Sequence, residues 1–86
     1  MSESLLDEAV RASRQLLDVL PPSADTRRLT RRASILARAA AIVELEPTSR
    51  HEIIKLVRLA LDLREEVMVL HHLQRVTSGA VAEMMD

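Results

Sequence analysis

The sequence contains no cysteine, no phenylalanine, no tyrosine and no tryptophan, and its 86 residues include a single glycine. The lack of cysteine excludes disulfides, thiolate metal sites and thiol catalysis. Without aromatic rings, the chain cannot bind single-stranded nucleic acid by stacking on the bases. Any core must therefore consist of Leu, Ile, Val, Ala and Met side chains.

The sequence also lacks a long apolar run and an excess of either charge. No stretch approaches the ~18 apolar residues of a membrane-spanning helix, and the N-terminus is acidic rather than basic. We therefore expect neither a membrane span nor a secretory signal, and a cytoplasmic location. The net charge of −1 gives the whole chain no attraction to polyanions. Eleven arginines against one lysine are typical of a GC-rich bacterial genome.

Length and composition predict one folded domain over residues 1–86. The chain is 48% hydrophobic and 29% charged, which is a normal composition for a globular protein and not for a disordered one. A monomer of this size buries only about two-thirds of its unfolded surface, so its core is modest.

The longest uninterrupted segment runs from Ser49 to Thr77 without glycine or proline. It opens with the capping-box spacing Ser49-x-x-Glu52, and Gly79 follows it as a natural helix stop. The segment predicts one long helix over residues 49–77 and a short tail over residues 78–86.

Two shorter amphipathic segments precede the long one. Ser4 can cap the first segment, and Pro21 ends it because proline cannot donate the backbone hydrogen bond. Ser23 or Asp25 can cap the second, which ends before Pro47. Short connections favour antiparallel neighbours. The predicted fold is all-α, a helical hairpin or three-helix bundle with a long third helix, with helices over residues 4–20, 25–46 and 49–77.

The third predicted helix carries more apolar surface than its own chain can cover. Its apolar side chains span about 220°, whereas packing on a single surface needs about 100°. The first two helices are at most about 30 Å long, so about 15 Å of the third stays uncovered. We therefore predict a homo-oligomer, with a dimer favoured, whose interface consists of Val69, Leu70, Leu73 and Val76.

A cluster of arginines opens the second helix, at Arg27, Arg28, Arg31 and Arg32. Cations are unfavourable at a helix N-terminus, so these charges need compensation. Antiparallel packing on the third helix would place Arg32 level with Asp62, and Arg28 near Glu65 and Glu66. At the turn, Arg50 and Lys55 would approach Glu44 and Glu46. The alternatives are that the four arginines form a patch for an anionic partner, either nucleic-acid phosphates or an acidic protein.

No pattern predicts a catalytic, cofactor or metal site. His51-Glu52-x-x-Lys55 resembles the zinc-protease helix, but a lysine ammonium stands where the second imidazole is required. The adjacent His71 and His72 point about 100° apart and cannot hold one ion together. We expect no enzyme, and the one catalytic alternative is a small helical enzyme of the chorismate-mutase type, suggested by Arg11 and Arg14 in the first helix.

The segment from Glu8 to Leu16, EAVRASRQL, resembles a helix of the TraM quorum-sensing antiactivators. This resemblance implies a small helical protein that dimerises and occludes a transcription regulator. The expected function is thus a non-enzymatic helical protein–protein interaction module that binds and modulates another protein. The alternative is a DNA-associated transcriptional regulator that uses the segment from Arg27 to Arg32.

Overall fold

A computed structural model describes the backbone of residues 4–85 and the side chains of residues 4–77. Over this part, the chain forms three helices and no strand: α1 (Leu5–Asp18), α2 (Ala24–Leu45) and α3 (Arg50–Met85). Each helix contacts the other two, so the molecule is a three-helix bundle. The predicted all-α fold with a long third helix is confirmed.

Each helix begins at a serine that supplies its N-cap. In all three, the serine Oγ accepts a hydrogen bond from the N–H three residues later, at Ser4–Asp7 (3.1 Å), Ser23–Thr26 (3.0 Å) and Ser49–Glu52 (3.2 Å). These bonds satisfy N–H groups that have no acceptor within the helix. Ser23, rather than Asp25, caps α2, and its cap is reinforced because Thr26 Oγ1 donates to Pro21 O at 3.1 Å.

The third helix is longer than the sequence predicts. It passes through Gly79 and ends at Met85, and no described glycine has a positive φ. The predicted stop and the predicted tail over residues 78–86 therefore differ from the structure. Glycine in a helix costs only about 1 kcal/mol relative to alanine, and the residues that follow it, Ala80 to Met84, are mostly good helix formers.

The core lies along the line where the three helices meet. Its fully packed side chains are Leu6, Ala9, Val10, Leu17, Leu20, Leu29, Ala33, Leu36, Ala40, Ala60, Leu63 and Val67. Small residues on every helix allow the backbones to approach closely. The one polar side chain at the centre, Ser13, is completely buried, and its Oγ donates to Ala9 O at 2.8 Å. Its hydroxyl is therefore satisfied within α1.

The molecule is elongated because α3 is much longer than its neighbours. At 1.5 Å per residue, α1 and α2 are roughly 21 and 33 Å long, whereas α3 is roughly 54 Å long. The molecule measures 58 × 23 × 21 Å, and its radius of gyration is 15.7 Å. A compact domain of this length has a radius of gyration of about 12 Å. The C-terminal part of α3 thus extends beyond the first two helices.

Candidate interaction surfaces

A contiguous apolar surface lies on α3 beside the first turns of α2. We call Val69, Leu73 and Val76 the overhang face, and these side chains are 53%, 55% and 54% exposed. On the side of the helix that faces the bundle, Leu63 and Val67 are completely buried. The structure therefore leaves uncovered three of the four residues for which the sequence predicts an oligomer interface.

Leu70, the fourth residue of that predicted interface, is placed differently. It is half-buried and packs against the core of its own chain. It also lines a shallow hollow between α3 and the first turns of α2, together with Leu29, Val69 and Leu73. Leu70 thus borders the overhang face and supports it from the intrachain side.

The arginine cluster at the start of α2 is divided between two directions. Arg32 Nη1 donates to Glu66 Oε2 at 2.8 Å, and Arg28 Nη1 lies 3.7 Å from the same oxygen. Arg28 also lies 3.8 Å from Asp25 of its own helix. One carboxylate of α3 therefore compensates two of the four arginines, as expected for antiparallel packing.

The other two arginines, Arg27 and Arg31, are exposed, and neither makes an ion pair with any described residue. Arg38, further along α2, is also exposed and makes none within the same part of the chain. These three side chains remain available to an anionic partner. Exposed ion pairs of the kind formed by Arg28 contribute only about 0–1 kcal/mol each, so they set the helix orientation more than the stability.

Two details of the predicted charge pairing are wrong. Arg32 pairs with Glu66 instead of Asp62, which shifts the register of α2 on α3 by about one helical turn. At the turn between the helices, neither Arg50 nor Lys55 forms an ion pair with a described residue. Residues 46–49 lie between the two helices, and the backbone of Glu46 is extended.

The glutamate near the end of α2 faces α1 instead of α3. A hydrogen bond with the Asp7 side chain, and then the negative charge of Asp7, raise the pKa of Glu44 above its ordinary value of 4.5. Both carboxylates border a groove between α1 and α2 that also contains Arg11 and Arg14. The close approach of two acids follows from the antiparallel packing, which sets the end of α2 beside the start of α1.

Sequence reasoning missed two exposed isoleucines on α2. Ile35 and Ile42 lie beside the buried line of the helix and are 59% and 54% exposed. With Ala39, they form an apolar strip next to Leu59, which is also partly exposed. Their helical spacing is visible in the sequence, but only the packing shows that the chain's own helices leave them open.

Among the described residues, no group of three or more metal-binding side chains is assembled. His71 is half-buried near the end of α1, and His72 is exposed beside Met68 and Leu73. Within the described residues, no helix is both long and apolar enough to cross a membrane. No family model, curated protein or solved structure matches this chain.

Proposed function

We propose that this chain is a small, non-enzymatic helical interaction module that self-associates and binds and modulates another protein. The observation that carries the proposal is the overhang face, where three aliphatic side chains remain about half exposed on a helix that buries Ala60, Leu63 and Val67 in its own bundle. Contiguous apolar patches on small proteins usually mark sites of association.

The total surface supports the same conclusion. The chain exposes 6685 Å², whereas a compact monomer of 9.6 kDa exposes about 5,100 Å². Among the side chains that the structure describes, eleven large apolar ones are exposed. A second copy that covered part of this surface would restore a more usual ratio of buried to exposed area.

A different apolar line supports a second, non-identical partner. Ile54, Leu61 and Met68 follow one another at seven-residue spacing along α3, on the side toward α1. Ile54 and Met68 are 49% and 54% exposed, and neither belongs to the overhang face. Leu61 and Met68 share a shallow hollow with Val69 and Leu73, so this line borders the overhang face, and self-association leaves its Ile54 end free for another protein, as regulation or an adaptor function requires.

Light scattering of the purified chain at micromolar concentration tests self-association. We expect a mass of twice 9.6 kDa, and a stable monomer would refute the proposal. Affinity capture from the source cell, followed by mass spectrometry, tests the second part. Its control is the double variant Ile54→Gln and Met68→Gln, which should lose the captured protein but keep the mass of the dimer.

A DNA-associated regulator is the second candidate, and the exposure of Arg27 and Arg31 favours it. If these arginines bound phosphates, a shift of duplex DNA should appear at low salt and weaken steeply as salt rises. The double variant Arg27→Gln and Arg31→Gln should abolish the shift. If the unmodified chain shifts no duplex DNA at low salt, this candidate fails.

A further inference from the structure

The α2 sequence repeats similar residues in adjacent pairs. The pairs recur at intervals of three or four residues, at Arg27-Arg28, Arg31-Arg32, Ile35-Leu36, Ala39-Ala40 and Ile42-Val43. Since neighbouring residues differ by 100° around a helix, the pairs make two adjacent stripes of nearly equal composition. The inner stripe consists of the second members, Arg28, Arg32, Leu36, Ala40 and Val43. The outer stripe consists of the first members, Arg27, Arg31, Ile35, Ala39 and Ile42.

The inner stripe packs against α3 of the same chain through ion pairs at its arginines and burial of its apolar residues. A carboxylate, Glu66, lies against its two arginines, and its apolar residues Leu36 and Ala40 are buried. The outer stripe has the same two arginines, followed by the same kind of apolar residues. No described acid pairs with those arginines, and the isoleucines are more than half exposed. The outer stripe is thus complementary to a helix that resembles α3.

The outward face of α3 has the required residues. Asp62 is exposed and makes no ion pair with any described residue, and Leu59, one turn before it, is 42% exposed. We propose that a second copy of this chain covers the outer stripe with this face of its α3, in a twofold dimer whose axis runs parallel to the bundle. This inference rests on the proposed self-association and specifies its geometry.

The direction of the axis follows from the charges. Rotation about an axis parallel to the bundle sets the partner's α3 against α2 in the same antiparallel sense as the chain's own α3. The Arg32–Glu66 ion pair shows which residues of α2 and α3 lie at the same height along the bundle, and the rotation keeps these heights. The partner's Asp62 therefore lies at a height between Arg31 and Arg38. An axis perpendicular to the bundle would instead set α2 against α2 and arginine against arginine, which is unfavourable.

The same arrangement brings the apolar residues together. The partner's Leu59 lies level with the gap between Ile35 and Ile42, so the outer stripe is covered along its length. Val69, Leu73 and Val76, spaced by four and three residues as in a coiled-coil seam, meet their own copies across the axis. This contact is isologous, and it therefore closes at two chains.

The size of the face suits a stable dimer. The α2–α3 face is roughly 33 Å long and about 20 Å wide, since packed helices lie 8–10 Å apart. Its footprint is thus on the order of 700 Å², close to the ~800 Å² per partner of a standard interface. Six of the eleven exposed aliphatic side chains lie on it: Ile35, Ile42, Leu59, Val69, Leu73 and Val76.

A charge exchange between two chains tests the pairing directly. The variant Arg31→Glu/Arg38→Glu sets two acids against the partner's Asp62, and the variant Asp62→Arg sets a base against two arginines. Each variant alone should self-associate on the order of tenfold more weakly, because like charges face each other across the interface. Mixed together, the two should form a heterodimer, because both contacts are then attractive. Glu8→Arg, on the exposed side of α1 away from the other two helices, is the matched charge control and should leave self-association unchanged.

Cysteine cross-linking tests the direction of the axis, because the natural chain has no cysteine. Val76→Cys alone should form a disulfide-linked dimer, and mixed Ala39→Cys and Leu59→Cys chains should form a linked heterodimer. In an antiparallel contact centred near Leu73, two copies of residue 76 would lie roughly 10 Å apart along the helices, too far for a disulfide.

The outcomes separate this inference from the proposed function. If the unmodified chain is a monomer, both fail. The inference alone is overturned if the chain is a dimer that the charge variants leave unchanged. It is also overturned if Val69→Cys links to Val76→Cys while Val76→Cys does not link to itself. Heterodimer formation by the two charge variants, with the Val76→Cys link, supports both.

Discussion

The same substitution at a buried and at an exposed leucine of α3 separates folding from association. Leu63 is completely buried in the bundle, so Leu63→Glu buries an unpaired carboxylate, which costs on the order of 3–5 kcal/mol. The free energy of unfolding of an 86-residue chain is about 4–13 kcal/mol in total. Leu63→Glu should therefore remove most or all of the stability of the fold. Leu73 is 55% exposed, so Leu73→Glu leaves the new carboxylate in water within a single chain.

The cost of Leu73→Glu falls on the dimer. Complete burial of a leucine side chain contributes about 1.5–3 kcal/mol, and Leu73 is already about half buried within one chain, so association adds roughly 0.8–1.7 kcal/mol per copy. A twofold interface loses this contribution twice, which alone raises the dissociation constant by at least about tenfold. Leu73→Ala keeps the site uncharged and should have a smaller effect.

Circular dichroism and light scattering at the same concentration distinguish the two effects. We expect Leu63→Glu to lose helical signal and cooperative unfolding, and Leu73→Glu to keep its helicity while its mass falls to that of one chain. Equal loss of helicity in both variants would mean that one continuous core includes Leu73. An unchanged mass for Leu73→Glu would show that the overhang face is not the interface, and the reasoning would be refuted.

Three further predictions concern the intrachain contacts. Arg32→Glu should lower the free energy of unfolding by about 1 kcal/mol because the new carboxylate repels Glu66. In a double-mutant cycle measured by urea unfolding, Glu66→Arg should restore part of this loss, whereas Glu65→Arg should not. Because Asp7 raises the pKa of Glu44, the stability that this carboxyl contributes is complete below pH 4.5 and is lost as the pH rises through the raised pKa. Glu44→Gln should therefore remove this decline in the melting temperature, and an unchanged decline would contradict the prediction. Gly79→Ala should stabilise the helix by about 1 kcal/mol and so raise the helical circular-dichroism signal. A loss of signal would mean that the helix stops at Gly79.

Local signals in the sequence predicted the helices and the core. A serine before each amphipathic segment and a proline after the first two delimit the elements, and both act through backbone hydrogen bonds within a few residues. The buried line of α2, from Leu29 to Ala40, follows from helical periodicity alone. The exposure of Val69, Leu73 and Val76 was also predictable from the charged residues on the same face in the preceding turns, but helix length does not account for it, because Val69 and Leu73 lie beside the first turns of α2.

The register between helices was not predictable in the same way. Antiparallel packing follows from a short connection, but the level of one helix on another depends on the path of the residues between them. The connection over residues 46–49 is irregular, and the structure sets Arg32 beside Glu66 instead of at the predicted level of Asp62. The end of α3 also lay beyond prediction, because the cost of Gly79 in a helix is small compared with the combined propensities of its neighbours.

The arginine cluster shows why the alternatives drawn from the sequence need not exclude one another. A phosphate patch and an intrachain ion-pair network were two explanations for four residues, but the helix turns Arg28 and Arg32 inward and leaves Arg27 and Arg31 outward. Two outward arginines, with Arg38 two turns further on, can neutralise few phosphates, whereas tight binding to duplex DNA commonly uses 6–10 such contacts. A single carboxylate already compensates the inner pair. A carboxylate from a second protein surface, next to aliphatic side chains that can cover Ile35 and Ile42, therefore fits the outer pair better than a nucleic acid does.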